Sequence, residues 1–321
     1  MRAVRGVGAG LDGDQGLSRA AAMTTTLPAE GRPAPSPVRR LAGALHRRPR
    51  LRLALLLGAP LLWLAVLYLG SLAVLFVSAF WTTDAFTSEM VKVWSTDNFR
   101  ELFTEPVYRQ VVLRSVGVAL AVTVLCAVLA FPLAFYTARV ARPRWRPFLV
   151  VAILTPLWAS YLVKVYAWRL ILSRDGPADQ VLAPFGLDGP GYGLPAVVLT
   201  LTYLWLPYMI LPVHTALAQL PDSLLDASAD LGARAWRTFR SVVLPMVLPS
   251  VAAGSVFTFS LSLGDYITVQ IVGGKTQLIG NVVYSHIDLD LPMAAALGTV
   301  PVVVIVLYLL AVRRTGALDS L

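Results

Sequence analysis

Six long apolar runs decide what this chain can fold into. They lie at about residues 53–81, 113–137, 148–172, 194–217, 247–271 and 293–312 of a 321-residue sequence. A helix rises about 1.5 Å per residue, so roughly 20 apolar residues cross the roughly 30 Å hydrocarbon core of a bilayer. A soluble core has no use for six such runs. Composition agrees: 57% of the residues are hydrophobic and only 14% charged, against about 25% charged in soluble domains. The expected fold is an all-α polytopic membrane protein with six transmembrane helices, because a helix satisfies its own backbone polar groups in lipid. Pro60, Pro132, Pro156, Pro207 and Pro301 fall inside these runs. Membrane helices tolerate such prolines where neighbours or waters satisfy the freed carbonyls.

The net charge of +9 is unevenly spread, which speaks against nucleic-acid binding and for a topology signal. Nineteen of the 27 lysines and arginines fall on one side if the N-terminus is cytoplasmic. Ten arginines lie in the stretch up to Arg52, then Arg139, Arg142, Arg144 and Arg146, then Arg234, Arg237 and Arg240, then Arg313 and Arg314. Both termini are therefore expected inside the cell. Residues 1–50, rich in Gly, Ala, Pro and Arg, read as a disordered cytoplasmic tail, with Met23 as an alternative start. Residues 51–315 read as the transmembrane domain and 316–321 as a short cytoplasmic tail. The first run is too long for the apolar region of a cleaved signal. Residues 82–112, with Trp94, Phe99, Phe103 and Tyr108, read as a long outside loop, and 173–193 as outside turns rich in Gly and Pro. The single cysteine, Cys126, excludes an intrachain disulfide and reads as a small buried hydrophobe.

Between the fourth and fifth runs lies a polar stretch, about 218–248, with more local order than a linker needs. Pro221-Asp222 suits a helix start. Asp222, Asp226 and Asp230 recur every four residues and share a face. Gly232 sits where the helix should stop, since glycine accepts the left-handed conformation. A second helix follows, with Trp236, Phe239 and Val243 as an apolar stripe and Arg234, Arg237 and Arg240 on another side. Leu244-Pro245 is expected to end it, because a residue before proline is pushed away from the α region.

This stretch resembles the cytoplasmic signature of permease subunits of ABC importers, Glu-Ala-Ala…Gly…Ile-x-Leu-Pro. Asp226, Ala227, Gly232, Val242, Leu244 and Pro245 match at the family's spacing, with Asp226 for the usual Glu and Ser228 for the second Ala. Asn98-Phe-x-x-Leu-Phe, Pro106-x-Tyr108, Tyr166-Ala167-Trp168, Asp230-Leu231-Gly232-Ala233 and Ser262-Leu-Gly-Asp265-Tyr266 extend the likeness over about residues 50–315, toward the first permease of spermidine/putrescine-type importers. The resemblance implies a type I importer permease fold in the bacterial cytoplasmic membrane. It implies that Asp226, Ala227, Ser228, Gly232, Trp236, Phe239, Val242, Leu244 and Pro245 form a coupling loop. The implied partners are a second homologous permease, ATP-binding cassette subunits that carry ATP and Mg, and an extracytoplasmic solute-binding protein. The implied substrate is a polyamine or another small cationic or polar solute.

Asp265, with Tyr266 and Thr268 after it, is a candidate for meeting an ammonium group through charge and cation–π attraction. The plainer reading is a polar residue at a helix break made by Gly264, or a salt bridge to the partner permease. Tyr166 and Trp168 are further candidates for the substrate pathway. Lys164 and Arg169 beside them would repel a polyamine and read better as interfacial anchors. His46, His214 and His286 lie far apart, and Gly273-Gly274-Lys275 lacks the rest of a phosphate-cradling loop, so the chain is expected neither to bind ATP nor to be an enzyme. The rival is an ion-gradient-driven secondary transporter, which would leave the coupling-type loop without a purpose.

Overall fold

The computed structural model describes residues 49–84 and 89–313. The expected tails fall outside these residues, apart from Pro49 and Arg50. The chain divides at Leu67 into two units. The first contains helix α1, Pro49–Leu64. The second contains α2 (Gly70–Ser78), a short antiparallel pair β1 (Thr82–Thr83) and β2 (Met90–Val91), and helices α3 (Asp97–Thr104) and α4 (Pro106–Phe135). After these come α5 (Arg146–Trp158), α6 (Tyr161–Ile171), α7 (Pro177–Leu182) and α8 (Leu194–Gln219). The chain continues with α9 (Asp222–Asp230), α10 (Ala235–Thr238), α11 (Leu244–Leu263), α12 (Ile267–Val272), α13 (Ile279–His286) and α14 (Leu291–Arg313).

Among the described residues, five helical stretches are long and apolar enough to cross a membrane: Pro60–Ser78, Pro106–Val140, Leu194–Gln219, Ala235–Leu263 and Leu291–Arg313. The sixth expected span is broken. Helices α5 and α6 meet at 94°, and at about 20 Å and 16 Å neither arm alone covers the hydrocarbon core. The break has a local cause. Pro156 removes a hydrogen bond from the last turn of α5. Ala159 and Ser160 then take extended ψ angles of 144° and 136°.

Three further expectations are corrected. The second span starts at Pro106, not 113, because proline at a helix start forfeits only a donor that has no partner there. The outside stretches 82–112 and 173–193 are not wholly loop: the first holds β1, β2, α3 and the start of α4, and the second holds α7. Most importantly, Leu244-Pro245 does not end a helix. Leu244 has φ −59° and ψ −48°, and helical structure runs unbroken from Ala235 to Leu263. Residues Phe239–Val243 form a π-helical turn just ahead of the proline. A widened turn relieves the clash between the proline ring and the carbonyl four residues earlier. The helix ends instead at Gly264, so the expected fifth span, 247–271, is α11 plus a separate α12.

Helix α8 is the hub, packing most extensively on α4 and α11, which also pack on each other. Val122, Cys126, Ala130 and Ala134 of α4 and Val197, Leu201, Met209 and Val213 of α8 form the buried centre. Small residues let the backbones close up. A Cβ on Gly254 would lie 2.8 Å from Met209 Sδ and 3.2 Å from Met209 Cα. Several buried hydroxyls bond within their own helices, as Thr123 Oγ1 does to the Ala119 carbonyl at 2.7 Å. Ser115 also links elements: it donates to the Val111 carbonyl and accepts from the Ile279 N–H at 2.8 Å, fixing the start of α13 against α4.

Candidate functional site

The loop between α8 and α11 is built as two helices around one turn. Helix α9 starts at Asp222, directly after Pro221. Gly232 closes it at φ +75°. The Gly232 N–H bonds the Ala229 carbonyl at 2.8 Å and the Ala233 N–H bonds the Ser228 carbonyl at 3.1 Å. This pair of bonds is the Schellman closure, which satisfies carbonyls that a helix end leaves open. The side chain of Ser228 then bonds Thr238 Oγ1 at 2.8 Å, joining α9 to α10. The hydroxyl that replaces the family's alanine is thus part of the loop's internal fastening.

One end of the loop is tied to α4's extension. Arg139 lies in a π-helical turn, Tyr136–Val140. Its guanidinium contacts the Asp222 carboxylate at 2.5 Å and donates to the Leu220 carbonyl. Asp222, Asp226 and Asp230 are all exposed on this helix, and Asp222 is the one that meets Arg139. The expected apolar stripe divides in two. Phe239 packs edge-on against Phe131 at 5.1 Å and Val243 is buried. Trp236 stacks on Phe239 at 5.4 Å yet stays 69% exposed. Leu231, at 88% exposed, and Leu224 join it in the open. A groove of about 430 Å³ between the two helices is lined by Ala227, Ser228, Leu231, Arg237 and Val242 among others. Leu244 and Pro245 lie past it on the continuous helix. The loop thus presents apolar side chains and a cleft on a fixed frame, which is what a docking surface requires.

The second candidate group does not assemble as expected. Asp265 is buried, and its carboxylate is engaged from three directions. Tyr161 Oη donates to it, the Thr268 N–H reaches Oδ1 at 2.8 Å, and Thr268 Oγ1 reaches Oδ2 at 3.2 Å. Tyr161 Oη also meets Thr268 Oγ1 at 2.8 Å. This triad joins the start of α12 to the start of α6, just after the break in the third span. Tyr266 stacks on Tyr284 at 4.9 Å. On α6, Trp168 is seven residues from Tyr161 and shares its face. It packs against Tyr203 at 5.5 Å. Tyr166 is on the other side and exposed.

Sequence reasoning missed Tyr161, although the Asp265-x-x-Thr268 spacing is a helix-start pattern that marks the carboxylate as an acceptor. It also missed a row of aromatic rings beside this triad. Tyr161 stacks on Trp205 at 6.1 Å, Trp205 meets Tyr208 at 5.9 Å, and Tyr208 meets Phe257 at 6.4 Å. The Trp205 Nε1 donor is buried without a partner among the described residues.

A fold of this kind, with a fastened loop between its fourth and fifth spans, is that of a multi-pass membrane protein. The chain belongs to the binding-protein-dependent transport system inner membrane component family, whose model matches residues 41–315. It is an ABC importer permease of type I fold. It is 46% identical over 299 residues to the inner membrane ABC transporter permease protein YdcU of Escherichia coli (strain K12), covering 88% of this chain and 95% of that protein. It is 31% identical over 265 residues to the spermidine/putrescine transport system permease protein PotB of the same strain, covering 80% and 94%. Two solved structures share the fold. One is a bacterial ABC transporter that imports the acidic polysaccharide alginate (TM-score 0.58, 18% identity, 86% of this chain and 99% of that one). The other is a bacterial alginate ABC transporter in complex with an alginate pentasaccharide-bound periplasmic protein (TM-score 0.64, 15% identity, 88% and 98%).

Proposed function

We propose that this permease serves an importer for a polyamine or a related small cationic or polar solute. It couples to ATP hydrolysis on a separate subunit through the Asp226–Pro245 loop. ATP and Mg would sit on that partner, a second homologous permease would complete the pathway, and a solute-binding protein would deliver the cargo from outside. Both termini and the loop would face the cytoplasm, in line with the arginine distribution.

The loop carries the coupling reading. It is braced within itself by the Gly232 closure and the Ser228–Thr238 bond, and to α4 by Arg139–Asp222, yet it leaves Leu231 and Trp236 in water. Exposed apolar side chains on a rigid frame are favourable only against a partner. The likeness to PotB supports the substrate class. The carboxylate of Asp265 and the adjoining aromatic row supply groups that suit an ammonium ion. The test is uptake of labelled spermidine, putrescine and neutral polar solutes by vesicles holding the complete transporter. ATP inside should drive uptake, and an imposed ion gradient without ATP should not. Gradient-driven uptake would reject the coupling reading, and indifference to cationic solutes would reject the substrate class.

A further inference from the structure

A cavity of about 880 Å³ opens on the inner side of the loop, between the end of α4, the end of α8 and α9–α10. Its walls are amphiphilic. Phe135, Leu225 and Phe239 supply apolar surface, and Arg139 and Arg146 supply two guanidinium groups. The Asp222 carboxylate also lines it, already engaged by Arg139. Arg139 directs its terminal nitrogens to Asp222 and the Leu220 carbonyl, and its Nε is shut off from the cavity with no partner among the described residues, so Arg139 lends the cavity its charge and not an open donor. Arg146 gives only its Nε, to the Ala141 carbonyl at 3.0 Å, among the described residues. Next to Arg146, exposed Trp145 and Phe148 meet edge-on at 6.0 Å. Aromatic residues of this kind sit at headgroup level.

We propose that this cavity holds an anionic phospholipid from the adjacent leaflet, with its phosphate at the open end of the Arg146 guanidinium, near the Arg139 charge, and its upper chains against Phe135 and Phe239. Guanidinium forks match phosphate oxygens, and basic pockets at the cytoplasmic ends of membrane helices suit such headgroups. The apolar walls favour an amphiphile over a soluble phosphate. A lipid seated there braces α9 against α4, so membrane composition bears on how firmly the loop is held. The proposal rests on the orientation given above, but not on the coupling reading or on the identity of the cargo.

The test is native mass spectrometry and thermal unfolding of the purified, complete transporter with phosphatidylglycerol, phosphatidylcholine or inorganic phosphate. Phosphatidylglycerol should stay bound and raise the melting temperature, while phosphatidylcholine should do neither. Arg146→Gln should weaken phosphatidylglycerol binding about tenfold, and Arg146→Lys, which keeps the charge and loses the fork, should fall between. Arg144→Gln, exposed and off the cavity, should bind like the wild type. Equal binding of phosphatidylcholine, or an equal loss in Arg144→Gln, would overturn the site. Equal protection by inorganic phosphate would reassign it to a soluble anion and overturn the lipid.

Discussion

Gly232 offers a clean perturbation, because its conformation and its surroundings make opposite demands. At φ +75° an L side chain is strained, yet a Cβ there would meet nothing within 4 Å. Substitution therefore changes backbone preference without a clash. The left-handed region costs an L residue about 1–2 kcal/mol, less for asparagine and more for a β-branched side chain. A loop that must hold this turn to dock would lose about 5- to 30-fold in affinity for its partner with Gly232→Ala. Gly232→Val should lose more, and Gly232→Asn should stay near wild type. The helices that insert in the membrane do not include the turn, so the amount of permease in the membrane should be equal in all variants. The assays are co-purification of the ATP-binding subunit, solute-stimulated ATPase activity and uptake, each divided by permease content. Wild-type uptake in Gly232→Val would refute the reasoning, since the turn would then be dispensable. An asparagine variant as poor as valine would refute it differently, by showing that the position senses size.

Other perturbations separate roles that the structure places side by side. Trp236→Ala should leave thermal stability nearly unchanged, because the ring is mostly exposed, yet reduce ATPase-subunit binding by the roughly 2 kcal/mol typical of an interface anchor; a titration of the two purified parts reads this. Gly254→Ala should lower the melting temperature of the detergent-solubilised protein, since the new methyl meets the Met209 and Pro212 region at 2.8–3.2 Å and overpacking costs roughly 1–3 kcal/mol. Asp265→Asn keeps an oxygen for the Thr268 N–H but loses the charge, so cationic uptake should fall while assembly of the complex is preserved; unchanged uptake kinetics would make Asp265 a purely structural residue.

The parts of this fold legible in the sequence are those whose cause is local. Proline before Asp222 and glycine at 232 are enough to place α9, because the capping requirements of a helix are met within a few residues. Run length is enough to place five spans. The misreadings arise where a local rule has more than one solution. Pro156 and Pro245 each break the helical ladder, but the chain answers with a 94° bend at the first and a π-helical turn at the second. Which answer is taken depends on what packs nearby. Phe239 and Val243 are held on the buried side, and α5 and α6 have no such continuous support. The sequence leaves Asp265 open between a carboxylate facing a pathway and a polar residue at the Gly264 break. Only the tertiary fold brings Tyr161, 104 residues away, to its oxygen.

The continuity of Ala235–Leu263 changes how the loop can act. A helix ended at Pro245 would leave the loop hinged to the membrane span, and a push on Trp236 would be taken up at the hinge. A single helical rod of 29 residues, about 43 Å long, instead carries displacement at one end to the other. Its far end is Gly264, followed at once by Asp265, whose carboxylate ties α12 to the bent α6. The π-helical turn at Phe239–Val243 lies inside this rod, between Trp236 and the membrane span, so its wider geometry sets how the two ends are angled, while the glycine at 264 is the point where the rod can flex. Movement at the proposed docking surface would therefore be directed toward the Tyr161–Asp265–Thr268 triad and the aromatic rings beside it. Changing the geometry of the π-helical turn should weaken uptake while leaving the triad in place. Deleting one residue from Phe239–Val243, to restore regular helical geometry, would also rotate Trp236 by about 100° relative to the span. Co-purification of the ATP-binding subunit must therefore be measured alongside uptake: retained docking with lost uptake supports transmission through this turn, and retention of both excludes it.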